Sequence, residues 1–319
     1  MTTYKEIFGK PVKVLSSDPS NETEGQVWYN SSSGTFKAGI SAGAWASGTS
    51  MNIIRRVGGG AGTQSLALVF TGAGGPPTKL SSSEEWNGSS WTGGGAVGTA
   101  RYFLGSCGTQ TAALGFAGYN GGNKFEVEEY DGSSWSEVNN IPYSVRDLKG
   151  FGIQTAAVAA GGYSGTAVIA TTANYDGTNW TSGGNMATAR SALSASGTQT
   201  AGLISGGQSP PNTTATEEYD GSSWTTGGNL SSGRSQVSMV GLQTSSLIFG
   251  GSPGTLTLTE EYDGTSWAVK ATLGTARKDV QSAGLSTSAL AAGGTNGPTT
   301  FSTTENFNVT LATKTLTSS

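Results

Sequence analysis

Tryptophans recur along this 319-residue chain at Trp45, Trp91, Trp135, Trp180, Trp224 and Trp267, spaced 46, 44, 45, 44 and 43 residues apart. A period of this size means that the chain is built from copies of one supersecondary unit, none of which buries its apolar face alone. Other residues keep step with the tryptophans. Ten positions on, once eleven, stand Arg55, Arg101, Arg146, Arg190, Arg234 and Arg277, six of the seven arginines in the protein. Eight or nine residues later come Gln64, Gln110, Gln154, Gln199 and Gln243, with Ser286 in the sixth copy. A short apolar run ending in small residues follows each time, as at Phe249-Gly250-Gly251 and Ala292-Gly293-Gly294. An aromatic then stands five residues before the next tryptophan, at Trp86, Tyr130, Tyr175, Tyr219 and Tyr262, and Phe307 holds that place in the last copy.

Each copy reads as four short strands. In the fifth these fall at 234–240, 245–249, 257–262 and from 267, a β-meander spacing with Gly-rich breaks and no sustained helical period. Within Tyr219-Asp220-Gly221-Ser222-Ser223-Trp224 the Asp-Gly pair supplies turn residues for a tight hairpin, so the aromatic before it and the Trp after it pack across the turn. A chain with 51 glycines and only 12% charged residues could be a flexible linker, but 8 Trp, 10 Tyr and 10 Phe give it a core to bury. Six such units run from Arg55 to Phe307; the sixth lacks its Trp strand, while Trp45 has no unit before it. The economical expectation is an all-β, six-bladed β-propeller in which the Trp45 strand completes the last blade and closes the ring. Residues 45–319 would form the propeller and residues 1–44 an N-terminal attachment segment.

Composition removes several chemistries. Histidine is absent, which excludes Ser-His-Asp and Cys-His catalysis and HExxH zinc sites. The single Cys107 excludes an intramolecular disulfide and any multi-thiolate metal site, so no metal and no cofactor is expected. A formal net charge of −4, with no basic run longer than Arg55-Arg56, gives no footprint for nucleic acid. No segment has the apolar length of a signal peptide or a membrane span, so neither export by a signal peptide nor membrane insertion is expected.

The acidic pairs Glu84-Glu85, Glu128-Glu129, Glu217-Glu218 and Glu260-Glu261 invite a glycosidase reading, with two carboxylates flanking a scissile bond. Catalysis needs one asymmetric site, whereas these acids are repeated, so structural pairing with the repeat arginines is the stronger expectation. Adjacent strand residues point to opposite faces, so one Glu of each pair shares the face of the tyrosine and the other does not. A ring of arginines holding an anionic ligand is the functional counterpart of that reading. Gly58 to Gly62 lacks the lysine of a phosphate loop, and Asp220 to Trp224 departs from the Asp-box of sialidases in its glycine spacing. The loops that vary between copies include Pro76 and Pro77, Asn120 and Asn123, and Pro210 and Pro211; they are expected on one face and are candidates for recognition. In the first 44 residues the aromatics Tyr4, Phe8, Trp28 and Tyr29 are too few for an independent core, which makes them candidates for attachment to a partner.

The order of Arg, short strand, Gly-Gly, variable loop, Glu-Glu-Tyr-Asp and Trp resembles the kelch repeat over roughly residues 45–310. Tandem copies of this kind, preceded by the leader Gly25-Gln26-Val27-Trp28-Tyr29-Asn30 to Lys37, are similar to kelch-like virion proteins of tailed bacteriophages, especially marine ones. The resemblance implies a six-bladed kelch-like propeller and a non-enzymatic structural or adhesive role on the particle, as head decoration or as part of a tail fibre. It implies synthesis in the host cytoplasm and capsid, portal or tail proteins as partners. Several copies per particle and a host-surface glycan as a further ligand belong to the same expectation. The alternative is a carbohydrate-binding or carbohydrate-active propeller that uses the variable loop face.

Overall fold

A computed structural model of the chain describes residues 6–7, 10–75 and 78–316. It is all-β, with no helix among the described residues. Five four-stranded antiparallel sheets succeed one another, each with its strands in sequence order. The first consists of Gly59–Gly62, Ala67–Phe70, Ser83–Trp86 and Trp91–Gly94; the following ones begin at Gly105–Thr109, Lys149–Ile153, Ser194–Thr198 and Ser238–Leu242. A sixth sheet has the order Gln281–Leu285, Ser288–Ala292, Thr304–Leu316, Thr35–Gly48, Val27–Asn30 and Lys13–Leu15. Repeated four-stranded antiparallel sheets are what a β-propeller is built from.

Two compact units share the chain: residues 45–307 and residues 1–44 with 308–319. Whereas the sequence reading runs the repeat region on to 319, residues 308–316 group with the first 44, because Thr304–Leu316 continues past Phe307 as an uninterrupted strand.

In unit 45–307 the second strand of each sheet has four successive buried residues, mostly apolar, as in Ala67–Phe70 and residues 157–160. The first strands are rich in small residues where their neighbours crowd them: a Cβ on Gly60 would stand 2.6 Å from the Ser282 carbonyl oxygen. These six strands touch in cyclic order, each next to the following one and Gln281–Leu285 next to Gly59–Gly62. Each first strand carries a glycine at or one place before its end, Gly62, Gly108, Gly152, Gly197, Gly241 or Gly284, with φ between +101° and +118°. Any side chain there would strike the carbonyl oxygen four residues on, at Leu66 in the first copy and Ser288 in the last, so glycine is obligatory at this turn.

The aromatic before each turn packs on the Trp after it. Ring centroids are 5.2 Å apart for Trp86 and Trp91, 5.0 Å for Tyr130 and Trp135, 4.9 Å for Tyr175 and Trp180, 4.7 Å for Tyr219 and Trp224, and 5.0 Å for Tyr262 and Trp267. Phe307 meets Trp45 at 5.3 Å in the same way, and the Trp45 indole donates to Thr259 Oγ1 at 3.1 Å. The last copy thus takes its Trp from the strand Thr35–Gly48.

Two expectations need correction. In the fifth copy the first strand begins at Ser238, four residues later than expected, because Gln236 has a φ of +54° and cannot lie in a strand. Arg146 is not the counterpart of the other five arginines. Bridges pair Arg56 with Ala73, Tyr102 with Tyr119, Arg146 with Tyr163 and Ser191 with Gln208, so Arg146 stands one place later in the unit, and Val145 occupies the arginine position.

In the other unit, Val27–Asn30 runs antiparallel to Thr35–Gly48 with Tyr29 opposite Phe36, and parallel to Lys13–Leu15. Glu6–Ile7 pairs with Lys10–Pro11. Asp18 ties this unit together: it accepts from Trp28 Nε1 at 3.1 Å and Asn30 Nδ2 at 2.8 Å, and pairs with Lys37 at 2.7 Å.

Candidate functional site

The repeat arginines are consumed by the fold. Arg55, Arg101, Arg190, Arg234 and Arg277 are fully buried and pair with Glu84, Glu128, Glu217, Glu260 and Glu305 at 3.5, 2.9, 2.5, 2.5 and 2.6 Å. Further donors reach carbonyls of the same copy, as Arg190 Nη1 does at Gly206 and Ala215, while the buried Nε of Arg55, Arg101, Arg190 and Arg234 has no partner among the described residues. Each glutamate also accepts a backbone N–H from the loop before its arginine: Asn52, Gly98, Ala187, Ser231 and Gly274. Burial lowers the guanidinium pKa while the glutamate opposes that shift, bringing Arg234 down to about 10. In the third copy the whole arrangement is exchanged together. Val145 replaces the arginine, Ala173 replaces the glutamate, and Pro142, which has no N–H, stands where the others donate.

The second glutamate of each pair binds the tyrosine of the next copy. Tyr130 donates to Glu85 at 2.5 Å, Tyr175 to Glu129 at 3.0 Å and Tyr262 to Glu218 at 2.6 Å, and the Tyr219 hydroxyl meets Asn174. Burial, and then the hydrogen bond to Glu85, pushes Tyr130 up to about 12. Where Phe307 offers no hydroxyl, Glu261 pairs with Lys270 at 2.7 Å instead. The repeated glutamates are thus each engaged by a neighbouring side chain, and no cluster of three metal-ligating side chains exists among the described residues.

The first strands enclose a cavity of about 150 Å³ lined mainly by Gly, Ser and Ala, with Lys149 as its one charged wall residue. At one end Val57, Phe103, Asp147, Ala192, Gln236 and Asp279 form a ring, every one with φ between +50° and +58°. Each donates its backbone N–H to the carbonyl of another: Phe103 to Val57, Asp147 to Phe103, Ala192 to Asp147, Gln236 to Ala192, Asp279 to Gln236 and Val57 to Asp279, at 2.8 to 3.0 Å. Six strained residues are held by one closed cycle of hydrogen bonds. Burial and the facing charge of Asp279 raise Asp147 to about 6, and burial raises Asp279 as well. Burial lowers Lys149, against the pull of both carboxylates.

Beside that ring lie the variable loops. Asn120 accepts from Lys79 Nζ at 2.6 Å through its carbonyl, and Asn123 Nδ2 donates to the Tyr163 carbonyl at 2.8 Å. Asn212 repeats the latter bond to Ser252, next to the cis-linked Pro210-Pro211. Pro76 and Pro77 lie outside the described residues, as do Tyr4 and Phe8. Arg146, freed from the core, lies between two rings, its guanidinium 4.6 Å from the centroid of Tyr119 and 4.9 Å from that of Tyr163. Tyr102 continues the row at 5.6 Å from Tyr119 and touches Phe103 at 4.9 Å. The sequence reading missed these tyrosines; the signal was that copies two and three alone carry tyrosines where the fourth and fifth have Ser191, Gln208, Ser235 and Ser252.

Of the expected attachment residues, Trp28 is completely buried and bonded to Asp18, which removes it as a contact residue, and Tyr29 is half-buried against Phe36. Comparison with protein-family models and with curated proteins returns no match.

Proposed function

We propose that residues 45–307, with the Trp45 strand as the last edge, form a six-bladed kelch-like β-propeller that works as a non-enzymatic display scaffold. In this reading the chain is a structural protein of a tailed-phage particle, present in several copies and held by capsid, portal or tail proteins. The observation that carries the non-enzymatic part is the commitment of the repeated carboxylates: each first-position glutamate neutralises a buried arginine of its own copy, and most second-position ones bind a side chain of the next. Six cyclic N–H to carbonyl bonds around the axis support the blade count. The leader and the succession of near-identical copies support the particle. A rigid ring of this kind offers its loops as a fixed surface at little ordering cost on binding.

Purified particles analysed by mass spectrometry and gradient co-sedimentation test the assignment. The chain is expected in the particle band in more than one copy; recovery only in the unsedimented fraction would overturn it.

A further inference from the structure

We propose that the row Tyr102, Tyr119, Arg146 and Tyr163 is a binding site for a carboxylate-bearing saccharide. The row breaks the repeat at the surface, where packing does not demand it. At the two places that the isolated bridges define in every copy, the fourth and fifth copies hold Ser191, Gln208, Ser235 and Ser252, whereas the second and third hold three tyrosines and an arginine. Arg146 has no core role, since Val145 fills the buried position.

The chemistry of the row lies in its edges. The Arg146 guanidinium lies over the rings of both Tyr119 and Tyr163, and the rings of Tyr102 and Tyr119 meet edge to face. These contacts hold the cation without a hydrogen bond to its N–H groups. Nη1 meets Asn123 Oδ1 only at 3.5 Å, Nε stands 3.9 Å from Asp147, and Nη2 has no partner among the described residues. The hydroxyls of Tyr102, Tyr119 and Tyr163 make no hydrogen bond among the described residues, and none is a buried atom. The repeat tyrosines Tyr130, Tyr175, Tyr219 and Tyr262 all have their hydroxyls bonded. A planar guanidinium matches a carboxylate in a two-point contact, and three free phenols beside it match the hydroxyls of a sugar ring. Stacking of a nucleobase on these rings is the competing use of such a row, and a single-stranded oligonucleotide tests it. Arg56 and Lys278, at the matching places of the first and sixth copies, add positive charge around the ring that favours an acidic chain over a neutral one.

The proposal deepens the display reading and rests on the closed ring that presents these residues, not on attachment to a particle. Its test uses the isolated full chain. Oligosaccharides carrying uronate or sialic-type carboxylates, their carboxyl-reduced counterparts and a single-stranded oligothymidylate are titrated by calorimetry. At least one carboxylated oligosaccharide is expected to bind, its reduced counterpart to bind at least about tenfold more weakly, and the oligothymidylate not to compete. Arg146→Ser and Tyr163→Gln introduce residues that other copies already carry at these places, so both variants should fold, and each should weaken binding about tenfold or more. Gln208→Ala, in a copy without the row, should bind as the wild type does. Equal binding of the reduced sugar, unchanged binding by both variants, preferential binding of the oligothymidylate, or no binding of any carboxylated sugar would overturn the site. Particle association is read separately by co-sedimentation, so either reading can fail alone.

Discussion

A guanidinium without a counter-charge is among the least tolerable groups in a protein interior, and this chain keeps five arginines at zero to one per cent exposure, each paired with a glutamate. The third copy shows that the pair is optional while a half-pair is not, since its arginine, glutamate and capping N–H are all exchanged at Val145, Ala173 and Pro142. Glu217→Ala should therefore cost about 3–5 kcal/mol in chemical denaturation, because it strands Arg190. Adding Arg190→Val should recover at least half of that loss; a double variant as unstable as the single one would show that the pair itself, not the uncompensated charge, carries the energy. Asp147 poses the opposite case. Its ordinary pKa of 3.8 is raised to about 6 by burial and by Asp279, with Arg146 and Lys149 acting against the shift. Between these values the folded state holds a proton that the unfolded chain has released, so this group lowers stability as pH rises from about 4 to about 6 and keeps it lowered above. Asp147→Asn, which tolerates the positive φ, should raise stability at about pH 8 by on the order of 1–3 kcal/mol and change it little at about pH 4. Urea titrations at both values measure the difference, and an equal effect at both would refute the assignment.

Between neighbouring sheets the glutamines act as clasps. Gln110 Nε2 donates to Ala67 and Trp86, Gln154 to Ala113 and Tyr130, Gln199 to Ala157 and Tyr175, and Gln243 to Gly202 and Tyr219, at 2.7 to 3.2 Å. Gln64 does the same for Ala289 and Phe307, which leaves the junction before the sixth sheet as the one with a serine, where Ser286 meets Ser245 at 2.6 Å. Ser286→Gln should add two bonds to carbonyls and stabilise the chain by on the order of 1 kcal/mol, read as a higher midpoint of thermal unfolding. A lower midpoint would mean that the glutamine does not fit this junction. The strands, the turns and the Tyr-Trp packing were legible in the sequence because each rests on a spacing of a few residues. The six positive-φ residues from Val57 to Asp279 were not, since Val, Phe, Asp, Ala, Gln and Asp share no side-chain signature; the cycle of backbone bonds, a tertiary feature, holds them. Arg146 was misplaced for a related reason. Its eleven-residue spacing and the change to Ala173-Asn174 in the same copy were both visible, but only the pairing of Arg146 with Tyr163 shows that they are one substitution.

At the scale of the whole ring, stability depends on the last copy being completed by a strand from far earlier in the chain. Trp45 packs on Phe307 and on Phe249 at 4.8 Å, and its indole bonds to Thr259, so it joins the fifth and sixth copies as each other Trp joins its own neighbours. Met51 is buried with Ala283, Leu290 and Ala292, and its N–H donates to Ser302 at 2.8 Å, which extends the closure past the strand itself. In the proposed ring the sheets keep only short, protected edges, so loss of the Trp45 strand from the last copy exposes unpaired backbone and apolar surface and removes the entropic advantage of joining the chain ends. A chain lacking residues 1–50 should accordingly unfold at a much lower temperature, or aggregate, while one lacking residues 1–38 should keep a cooperative transition close to that of the full chain. Trp45→Ala falls between, at roughly 3–5 kcal/mol for a large aromatic removed from a packed site. Thermal unfolding followed by tryptophan fluorescence, together with limited proteolysis, separates the three. Equal midpoints for both truncations would mean that the six copies hold together without their borrowed strand, and the ring would then owe its stability to the axial hydrogen-bond cycle and the glutamine clasps alone.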